Sequence, residues 1–386
     1  MHISRIIGGL CLGLSTLFNM TAQQAIDRVN PIIGTNGMGH TFPGACQPFG
    51  LIQLSPDTDT IPHNINGKYQ PDVYAYCAGY QYKDSSIVGF SHTHFSGTGH
   101  SDLGDLLVMP TVGTLKLNPG TADHPDSGYR SRYSHQTEIA KPGYYEVMLA
   151  DYGIKAQLTT TQRVGIHKYT YPKQSEQQHL ILDLIHGIYN YDGKVLWTQL
   201  RVENDTLLTG YRITNGWARV NYTYFAISFS KPIQQYGCVE KAKVDYKGGY
   251  GKFDMTHNFP DMGGRKLVTY FDFDPKAGNE LEVKVALSGV STAGALKNLQ
   301  TEASACSFDQ LATQAANRWE QALSVIDAKG NEDQLAMLYT SLYHTMINPC
   351  VYMDVDGQYR GLDHNIHQAK GFTNYTVFSV WDTYRA

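Results

Sequence analysis

Residues 144–171 have the sequence YYEVMLADYGIKAQLTTTQRVGIHKYTY, which carries the clearest structural signal in the chain. Apolar and polar side chains alternate with a period of two in residues 144–149 and again in residues 154–164. Such alternation is typical of β-strands that bury one face. The turn-forming residues 150–153 separate these two runs, and a third run, 165–171, ends at a proline. The stretch therefore predicts three consecutive strands of an antiparallel sheet.

The same pattern extends over most of the chain before residue 300. In residues 220–230, for example, Tyr222 and Tyr224 would share one strand face, while Phe225 and Ile227 would share the other. Many such strands follow one another without a helical pattern between them. Residues 23–300 are therefore predicted to form a large antiparallel β-sandwich.

The hydrophobic period changes after Ser307, where residues 307–310 have the form of a helix capping box. Apolar residues then recur at helical spacing at Leu311, Ala315, Trp319, Leu323 and Ile326. A second start signal at 331–334 precedes Leu335, Leu338, Leu342 and Met346. We predict a linker helix in 301–330 and, in 331–386, the start of a helical domain. Two amphipathic helices cannot bury each other's faces and keep a polar exterior, so this domain is expected to continue past Ala386.

Composition excludes several classes of protein. With 42% apolar and 17% charged residues, the 386-residue chain is neither disordered nor a coiled coil. A net charge of -4 gives no electrostatic basis for binding nucleic acid. Residues 1–22 have the form of a signal peptide, and their apolar run 6–18 is too short to span a bilayer. The protein is therefore expected to be exported to the periplasm or cell surface, with no transmembrane segment.

The densest polar cluster is SHTHFSGTGHSDLGD, residues 91–105. On a strand, His92 and His94 would share a face, and His100 could approach from the adjoining glycine-rich loop. Imidazoles and carboxylates together suit zinc or another transition metal, so one interpretation is a metal-dependent hydrolase. Two others remain open: a tight polar loop with internally bonded histidines, and recognition of sugar hydroxyls without a metal.

Two further segments have side chains or backbone suited to a ligand. The glycine-rich residues 30–45 around His40 lack the Gly-Lys-Ser/Thr of a phosphate loop, so they would instead bring backbone close to a ligand or another loop. Asp382 follows Trp381, and a ring beside a carboxylate is a common way to hold a sugar. Asp382 is equally explained as an acidic residue at a helix N-terminus.

Paired carboxylates were considered as an acid and a base for glycoside hydrolysis. The candidate pairs are Asp57 with Asp59, Asp102 with Asp105, and Asp354 with Asp356. Each pair lies in turn-like sequence, where aspartate commonly caps backbone groups. All three pairs are therefore expected to be structural.

Several long stretches resemble glycoside hydrolase family 92, a family of calcium-dependent, exo-acting α-mannosidases. They are VNPIIGTNGMGHTFPGACQPFGLIQLSPDT (29–58), GFSHTHFSGTGHSDLGDLLVMP (89–110), ILDLIHG (181–187), GYRITNGWA (210–218), FSKP (229–232), LYTSLYHTMINPCVYMDVDGQYRG (338–361) and FSVWDTYRA (378–386). The resemblance implies a β-sandwich joined by linker helices to an (α/α)6 barrel. The change of period near residue 300 agrees with that order.

The resemblance also implies an inverting α-mannosidase that removes terminal mannose from N-glycans or mannans. It implies that the catalytic acid, the catalytic base and the calcium ligands lie beyond Ala386, so no catalytic or metal-binding residue is assigned within this chain. The chain is therefore expected to be a fragment that is inactive alone. The alternatives are a sandwich that binds glycans without cleaving them and the metal-dependent hydrolase described above.

By the same resemblance, Asp382 of the Trp-Asp-Thr motif is implied as a ligand of the terminal mannose, with Trp381 beside it. The pocket wall is expected to include His40, Tyr74, Cys77, His92 and His94. Tyr74 stands where many members of the family have Trp, and that position helps to select the leaving-group sugar. The linkage that is cleaved therefore stays open.

Overall fold

The computed structural model describes residues 24–58, 61, 63–97, 99, 102–175, 177–242 and 254–376. In chain order its strands are β1 (Ala45–Cys46), β2 (Gln53–Asp57), β3 (Asn64–Ile65), β4 (Lys68–Tyr69), β5 (Ser86–Ile87), β6 (Gly89–Ser91), β7 (Leu107–Val112), β8 (Ser131–Arg132), β9 (Ile139–Lys141), β10 (Tyr144–Leu149), β11 (Ile154–Thr160), β12 (Val164–Thr170), β13 (Gln178–Asp183), β14 (Val195–Asn204), β15 (Leu207–Thr214), β16 (Asn221–Phe229), β17 (Ile233–Glu240), β18 (Asp261–Gly264), β19 (Leu267–Phe273), β20 (Glu280–Ser288), β21 (Cys350–Val351), β22 (Gln358–Arg360), β23 (Ile366–Gln368) and β24 (Tyr375–Thr376).

The α-helices are α1 (Thr292–Glu302), α2 (Phe308–Leu323) and α3 (Glu332–Thr345). Short 3-10 helices occupy Ala25–Arg28, Pro71–Tyr76, Pro125–Ser127, His135–Thr137 and Pro275–Ala277. Among the described residues, no helix is long and apolar enough to cross a membrane.

Two large antiparallel sheets form the sandwich that the alternating pattern predicts. One has seven strands in the order β1-β2-β6-β7-β13-β19-β17, and the other has nine in the order β18-β14-β15-β16-β20-β12-β11-β10-β9. Their facing side chains form one apolar core, in which the Phe229 and Phe271 rings lie 5.7 Å apart across the two sheets. The predicted sandwich is therefore confirmed.

Most strand limits agree with the sequence pattern, with one shift. β10 occupies 144–149 as predicted, but β11 ends at Thr160, and the next strand already begins at Val164. In β16, Phe225 and Ile227 are buried, whereas Tyr222 and Tyr224 on the other face are only half-buried. Ala226 is also buried because α1 covers the outer face of the nine-stranded sheet.

The helices pack on the sandwich and on the N-terminal segment. Ser307 and Asn331 form the capping boxes of α2 and α3, as the start signals predict. The fully buried Trp319 donates a hydrogen bond from its indole nitrogen to the Cys46 carbonyl (2.7 Å) and lies 4.5 Å from the Tyr343 ring. Glu320 accepts hydrogen bonds from the backbone nitrogens of Ala25 and Ile26.

The predicted buried face of α3 is confirmed except at Leu338. Leu335 is buried, and Leu342 and Met346 pack against the same core, but Leu338 is 38% exposed, and the buried positions of the helix after Leu335 are Tyr339, Thr340 and Tyr343. Tyrosine rings offer more surface to bury than the leucines one position earlier, and Tyr343 stacks near Trp319 while its hydroxyl meets the Cys46 thiol. Ile326 is also exposed, because α2 ends three residues before it, at Leu323.

The boundary between strands and helices lies earlier than predicted. β20 ends at Ser288, and α1 begins at Thr292, inside the range 23–300 predicted for the sandwich. The weak amphipathic signal of 292–302 hides this helix in the sequence. The division of the chain into functional domains stays a prediction.

Replacing Trp319 by alanine should lower the free energy of unfolding by about 3–5 kcal/mol, because it leaves a large cavity and an unpaired Cys46 carbonyl. Urea unfolding followed by circular dichroism measures this change. Trp197→Ala, at a 44% exposed position on β14, is the matched control and should change the value by less than about 1 kcal/mol. Equal effects of the two substitutions would contradict the assigned role of Trp319.

Candidate functional site

A cavity of about 810 Å³ lies between the sandwich and residues 348–376. Its sandwich wall includes Gln53, Thr93, Phe95, Asp102, Asp105 and Tyr222. The opposite wall includes Tyr352, Tyr359, Arg360, Asp363, His367 and Tyr375. Aromatic faces and hydrogen-bonding groups occur in both walls, and the volume is in the range of small-molecule sites. Within the described residues, this cavity is well suited to a polar ligand of sugar size.

Arg360 fixes the second wall to the sandwich. Its guanidinium donates hydrogen bonds to the carbonyls of Gly289 (2.9 Å), Val290 (3.3 Å) and His364 (2.7 Å). The same group lies 4.6 Å from the centre of the Tyr222 ring, which is within the range of a cation–π contact. The β22–β23 hairpin is thereby held against the end of β20 and the start of β16.

A buried ion pair supports the first wall. Arg212, at the centre of β15, is fully buried, and its guanidinium lies 2.8 Å from the Asp105 carboxylate. Asp105 also accepts a hydrogen bond from the Thr93 hydroxyl (2.9 Å), and Arg212 donates to the His186 carbonyl. Burial lowers the pKa of Arg212, and the charge of Asp105 opposes that change. The pair therefore joins the β6–β7 loop to the sheet.

The structure brings together three of the predicted pocket residues. The rings of His40 and Tyr74 meet edge to face with their centres 5.0 Å apart, and Tyr74 is 41% exposed. The Cys77 thiol donates to the Tyr74 carbonyl (2.9 Å) and lies 3.0 Å from the Tyr189 hydroxyl. Because Cys77 is fully buried, it positions Tyr74 and cannot itself touch a ligand at the surface.

His40 has a buried ring nitrogen that could form a hydrogen bond with a ligand. It is 7% exposed and has a positive φ of 50°, and its Nε2 atom is buried without a hydrogen-bond partner among the described residues. Burial lowers its pKa, although a hydrogen bond with the backbone of Tyr74 opposes this. His40 and Tyr74 therefore form one unit, whose role in sugar binding stays a prediction.

His92 is an interior residue and not part of a pocket wall. Its Nδ1 donates to the Leu106 carbonyl (2.7 Å), so its Nε2 accepts from Nε2 of His167 (2.9 Å). Nδ1 of His167 in turn accepts from the Tyr169 hydroxyl (2.7 Å). Burial lowers the pKa of His92 to about 4 and that of His167 well below its ordinary value. Both rings are therefore neutral links in a closed network.

His94 is also fully buried and contacts a carboxylate. Its Nδ1 donates to the Gln53 carbonyl (2.7 Å), and its Nε2 lies 2.8 Å from Asp57, which His186 meets at 2.8 Å on its other oxygen. Burial alone would raise the pKa of Asp57, but the charges of His94 and His186 and their hydrogen bonds lower it well below its ordinary value. Neither His92 nor His94 has surface for a substrate, which contradicts the prediction that they line the pocket.

The carboxylate pairs divide into two groups. Asp102 and Asp356 accept backbone hydrogen bonds in turns, as predicted. Asp57 and Asp105 do not: each is buried against histidine or arginine, because their partners come from distant strands that the local sequence does not reveal. Asp354 is likewise buried, and it accepts from Ser288 and Asn298. Asp59 lies outside the described residues.

The remaining predicted residues cannot be placed. Trp381, Asp382 and His100 lie outside the described residues, as do the predicted signal peptide and the end of the Trp-Asp-Thr motif. Within the described part of the chain, no three His, Cys, Asp or Glu side chains are grouped as metal ligands. The buried bonds of His92 and His94 therefore do not support the metal-dependent hydrolase.

Sequence reasoning missed Arg212, Arg360 and Tyr222, which shape the cavity. A weak signal existed for Arg212, because an arginine in the middle of an apolar strand needs a buried partner. No local signal identifies the role of Arg360 in the cavity, because Gly289 and Val290, which it anchors, lie 71 and 70 positions earlier in the chain.

The chain matches two family models. The glycosyl hydrolase family 92 N-terminal domain matches residues 28–288, and the family 92 catalytic domain matches residues 294–386.

Among solved structures, the family 92 α-mannosidase BT3965 from Bacteroides thetaiotaomicron, in complex with mannoimidazole, is 42% identical. That match has a TM-score of 0.84 and covers 94% of this chain and 45% of the other. The inverting mannosidase BT2199 of the same organism is 25% identical, with a TM-score of 0.72 and coverage of 92% and 44%. An uncharacterized secreted glycosidase of Arthroderma benhamiae is 23% identical over 84% of this chain and 41% of its own. The chain thus spans less than half the length of these relatives.

The buried histidine network makes stability depend on pH. His92 and His167 stay neutral in the folded protein between about pH 6.5, the ordinary histidine pKa, and about pH 4. In the unfolded chain the same two side chains become protonated in this pH range. The contribution of these histidines is thus complete above about pH 6.5, and the free energy of unfolding should fall as the pH decreases through this window. Urea unfolding at several pH values measures the slope.

The double variant His92→Gln, His167→Gln keeps hydrogen-bonding capacity without titrating, so its slope should be shallower. Some slope should remain, because burial also lowers the pKa values of His40, His63 and His344. Asp57 does not interfere, since its lowered pKa removes its contribution only below about pH 4. An unchanged slope in the double variant would refute this assignment.

Proposed function

This chain belongs to glycoside hydrolase family 92, and from that premise we propose that it is the sandwich-bearing part of an exo-acting α-mannosidase. The relatives that it matches include α-mannosidases of about twice its length, which supports the proposal that it is a fragment of a longer enzyme. In this proposal, the chain supplies one side of a mannose pocket, and the reacting carboxylates belong to the remainder of the barrel.

The observation that carries the proposal is the cavity of about 810 Å³ between the sandwich and residues 348–376. Tyr375 and Thr376 line this cavity, and the Trp-Asp-Thr motif follows them within ten residues of sequence. A terminal mannose in the cavity would contact aromatic faces together with carboxylates and amides that can accept or donate to its hydroxyls. The binding of mannoimidazole by the relative BT3965 supports a mannose-shaped ligand.

From the family resemblance, we propose that Asp382 accepts hydrogen bonds from two hydroxyl groups of the terminal sugar and that its sequence neighbour Trp381 contributes to the same site. His40 and Tyr74 would border the site, and His40 Nε2 is a buried nitrogen without a hydrogen-bond partner among the described residues. Tyr74 has a hydroxyl group that a tryptophan at this position would lack. The linkage preference of the enzyme would therefore depend on which hydroxyl group of the leaving-group sugar forms a hydrogen bond with Tyr74.

The proposed reaction is a single displacement with inversion, in keeping with the inverting relative BT2199. One carboxylic acid protonates the departing oxygen, and a carboxylate about 6.5–9.5 Å away activates water on the opposite face of the ring. We assign neither group to this chain. Its own residues bind and orient the sugar and exclude water from the walls of the cavity.

Calcium is part of the proposal for the complete enzyme but not for this chain. The proposal that the calcium ligands lie beyond Ala386 rests on the resemblance to glycoside hydrolase family 92. Export to the periplasm or cell surface rests on residues 1–22 and on the secreted relative from Arthroderma benhamiae.

Binding of mannoimidazole to the purified 386-residue chain tests the proposal by calorimetry. We expect saturable binding without release of mannose from an α-mannoside, because the catalytic carboxylates are absent. Arg360→Gln should weaken binding by about tenfold or more, since it releases the hairpin that forms one cavity wall. Lys297→Gln is the matched control, because Lys297 is exposed and pairs with Asp356 away from the cavity.

Two results would contradict the proposal in different ways. Release of mannose by this chain alone would show that the catalytic groups lie within it. Binding of other glycans with no effect of Arg360→Gln would favour a sandwich that binds glycans at another surface.

In the complete enzyme, Asp382→Ala should lower kcat/KM for an α-mannoside by about 100-fold or more, or about 2.7 kcal/mol of transition-state stabilisation. Asp333→Ala is the control for the competing role, because Asp333 is an acidic residue in the first turn of α3 and should leave kcat/KM unchanged. A change below about threefold for Asp382→Ala would show that this residue only stabilises a helix N-terminus.

A further inference from the structure

A row of aromatic side chains crosses the surface beside the cavity, and we call Trp217, Tyr191, His63 and Tyr69 the aromatic stripe. Trp217 is 82% exposed and Tyr69 is 49% exposed. The ring of His63 lies 5.1 Å from that of Tyr69 and 5.4 Å from that of Tyr191, and the Tyr191 hydroxyl donates to the carbonyl of Asn215, two residues before Trp217. The rings of Tyr69, His63 and Tyr191 therefore form a connected series, and the Tyr191 hydroxyl joins this series to the turn that carries Trp217.

The turn that carries Trp217 is fixed by the protein itself. The two oxygens of the Asp102 carboxylate accept hydrogen bonds from the backbone nitrogens of Trp217 and Ala218, each at 3.0 Å. A Cβ atom on Gly216 would lie 1.9 Å from the same carboxylate, so only glycine fits there. An exposed indole on a rigid turn loses little freedom when a ligand covers it, which favours binding.

The stripe is continuous with the proposed mannose site. Asp102 and Ala218 both line the cavity. Trp217 directly precedes Ala218 in the chain, and the Tyr191 hydroxyl binds the carbonyl of Asn215 in the same turn. A glycan that leaves the cavity at this rim would reach Trp217 first. Tyr191, His63 and Tyr69 would follow in order of contact.

The chemistry of the stripe fits a neutral saccharide. Tyrosine, tryptophan and histidine rings present a flat apolar face together with polar atoms at the edge, which matches the apolar face and hydroxyl rim of a pyranose. Two of the nearby charges are already engaged: Lys194 is buried on the carbonyls of Leu103 and Ile188, and Asp192 pairs with Lys266 at 2.7 Å. A net charge of -4 also disfavours a polyanionic ligand such as nucleic acid.

We propose that the aromatic stripe binds the saccharide units that lie beyond the bond to be cleaved, which makes its four residues determinants of the affinity for longer glycans. This inference rests on the proposed function, because it takes the cavity as the site of the terminal mannose. It predicts that affinity grows with glycan length through contacts made outside the cavity.

Calorimetry on the 386-residue chain with methyl α-mannoside, mannobiose and mannotetraose tests the stripe. We expect mannotetraose to bind at least fivefold more tightly than methyl α-mannoside, with mannobiose in between. Because Trp217 is the first stripe residue that the glycan meets, Trp217→Ala should abolish this ratio, whereas Trp197→Ala, at an exposed position outside the stripe, should preserve it. Circular dichroism of both variants checks that they fold.

Indole fluorescence gives a second reading. Mannotetraose should shift the emission of the unsubstituted chain and of Trp197→Ala, and this shift should be clearly smaller in Trp217→Ala, where Trp381 of the proposed mannose site still responds. The proposed role of the stripe is refuted if the longer glycan does not bind more tightly than the shorter one, or if Trp217→Ala leaves the ratio of the two affinities unchanged. Binding of methyl α-mannoside in that case leaves the proposed function standing. Binding of mannotetraose without any binding of methyl α-mannoside supports the stripe but contradicts the mannose site in the cavity.

Discussion

The site depends on a buried ion pair between a strand and a loop. Arg212 of β15 is fully buried and meets Asp105 at 2.8 Å, next to the Thr93 hydroxyl and the His186 carbonyl. Removing two charges from water is costly, and the bonds of Asp105 to Thr93 and of the Arg212 Nη atoms to carbonyl groups offset part of that cost. By fixing Asp105, the pair places the β6–β7 loop, and with it Asp102, which lines the cavity and holds the turn of Trp217. One wall of the cavity and the neighbouring aromatic surface thus share a single anchor.

The second determinant of the site is the packing of α2 against the N-terminal segment, residues 25–46. The indole of Trp319 donates a hydrogen bond to the carbonyl of Cys46. The carboxylate of Glu320 accepts from the backbone nitrogens of Ala25 and Ile26, which lie 295 and 294 positions earlier in the chain. Between those contacts runs the glycine-rich segment with His40. The position of His40 against Tyr74 is therefore set jointly by the helices and the sandwich, and neither alone would define it.

Hydrophobic periodicity predicted the strands and helices well, but it did not predict which polar side chains are buried. The alternation in 144–171 and the capping boxes at Ser307 and Asn331 depend only on neighbouring residues, and the structure has the corresponding strands and helices. The burial of His92 and His94 depends on His167, Asp57 and His186, which other strands deliver, so no local pattern separates these interior histidines from pocket residues. The cavity itself requires Arg360 to reach the end of β20. The family resemblance supplied the expected chemistry, because long matched segments carry information on tertiary structure that residue spacing lacks.

The covering of the outer sheet face by α1 and α2 limits how this architecture can be divided. Val164, Ile166, Ala226 and Ala286 are buried under Leu299, Phe308 and Leu311 from the helices. A chain cut after Ser288 would expose that apolar face and leave the segment around Ala25 without its helical support. The smallest unit able to fold cooperatively therefore includes the helices as well as both sheets. Recombination between related genes would have to exchange them together, which ties the evolution of the cavity walls to that of the helices.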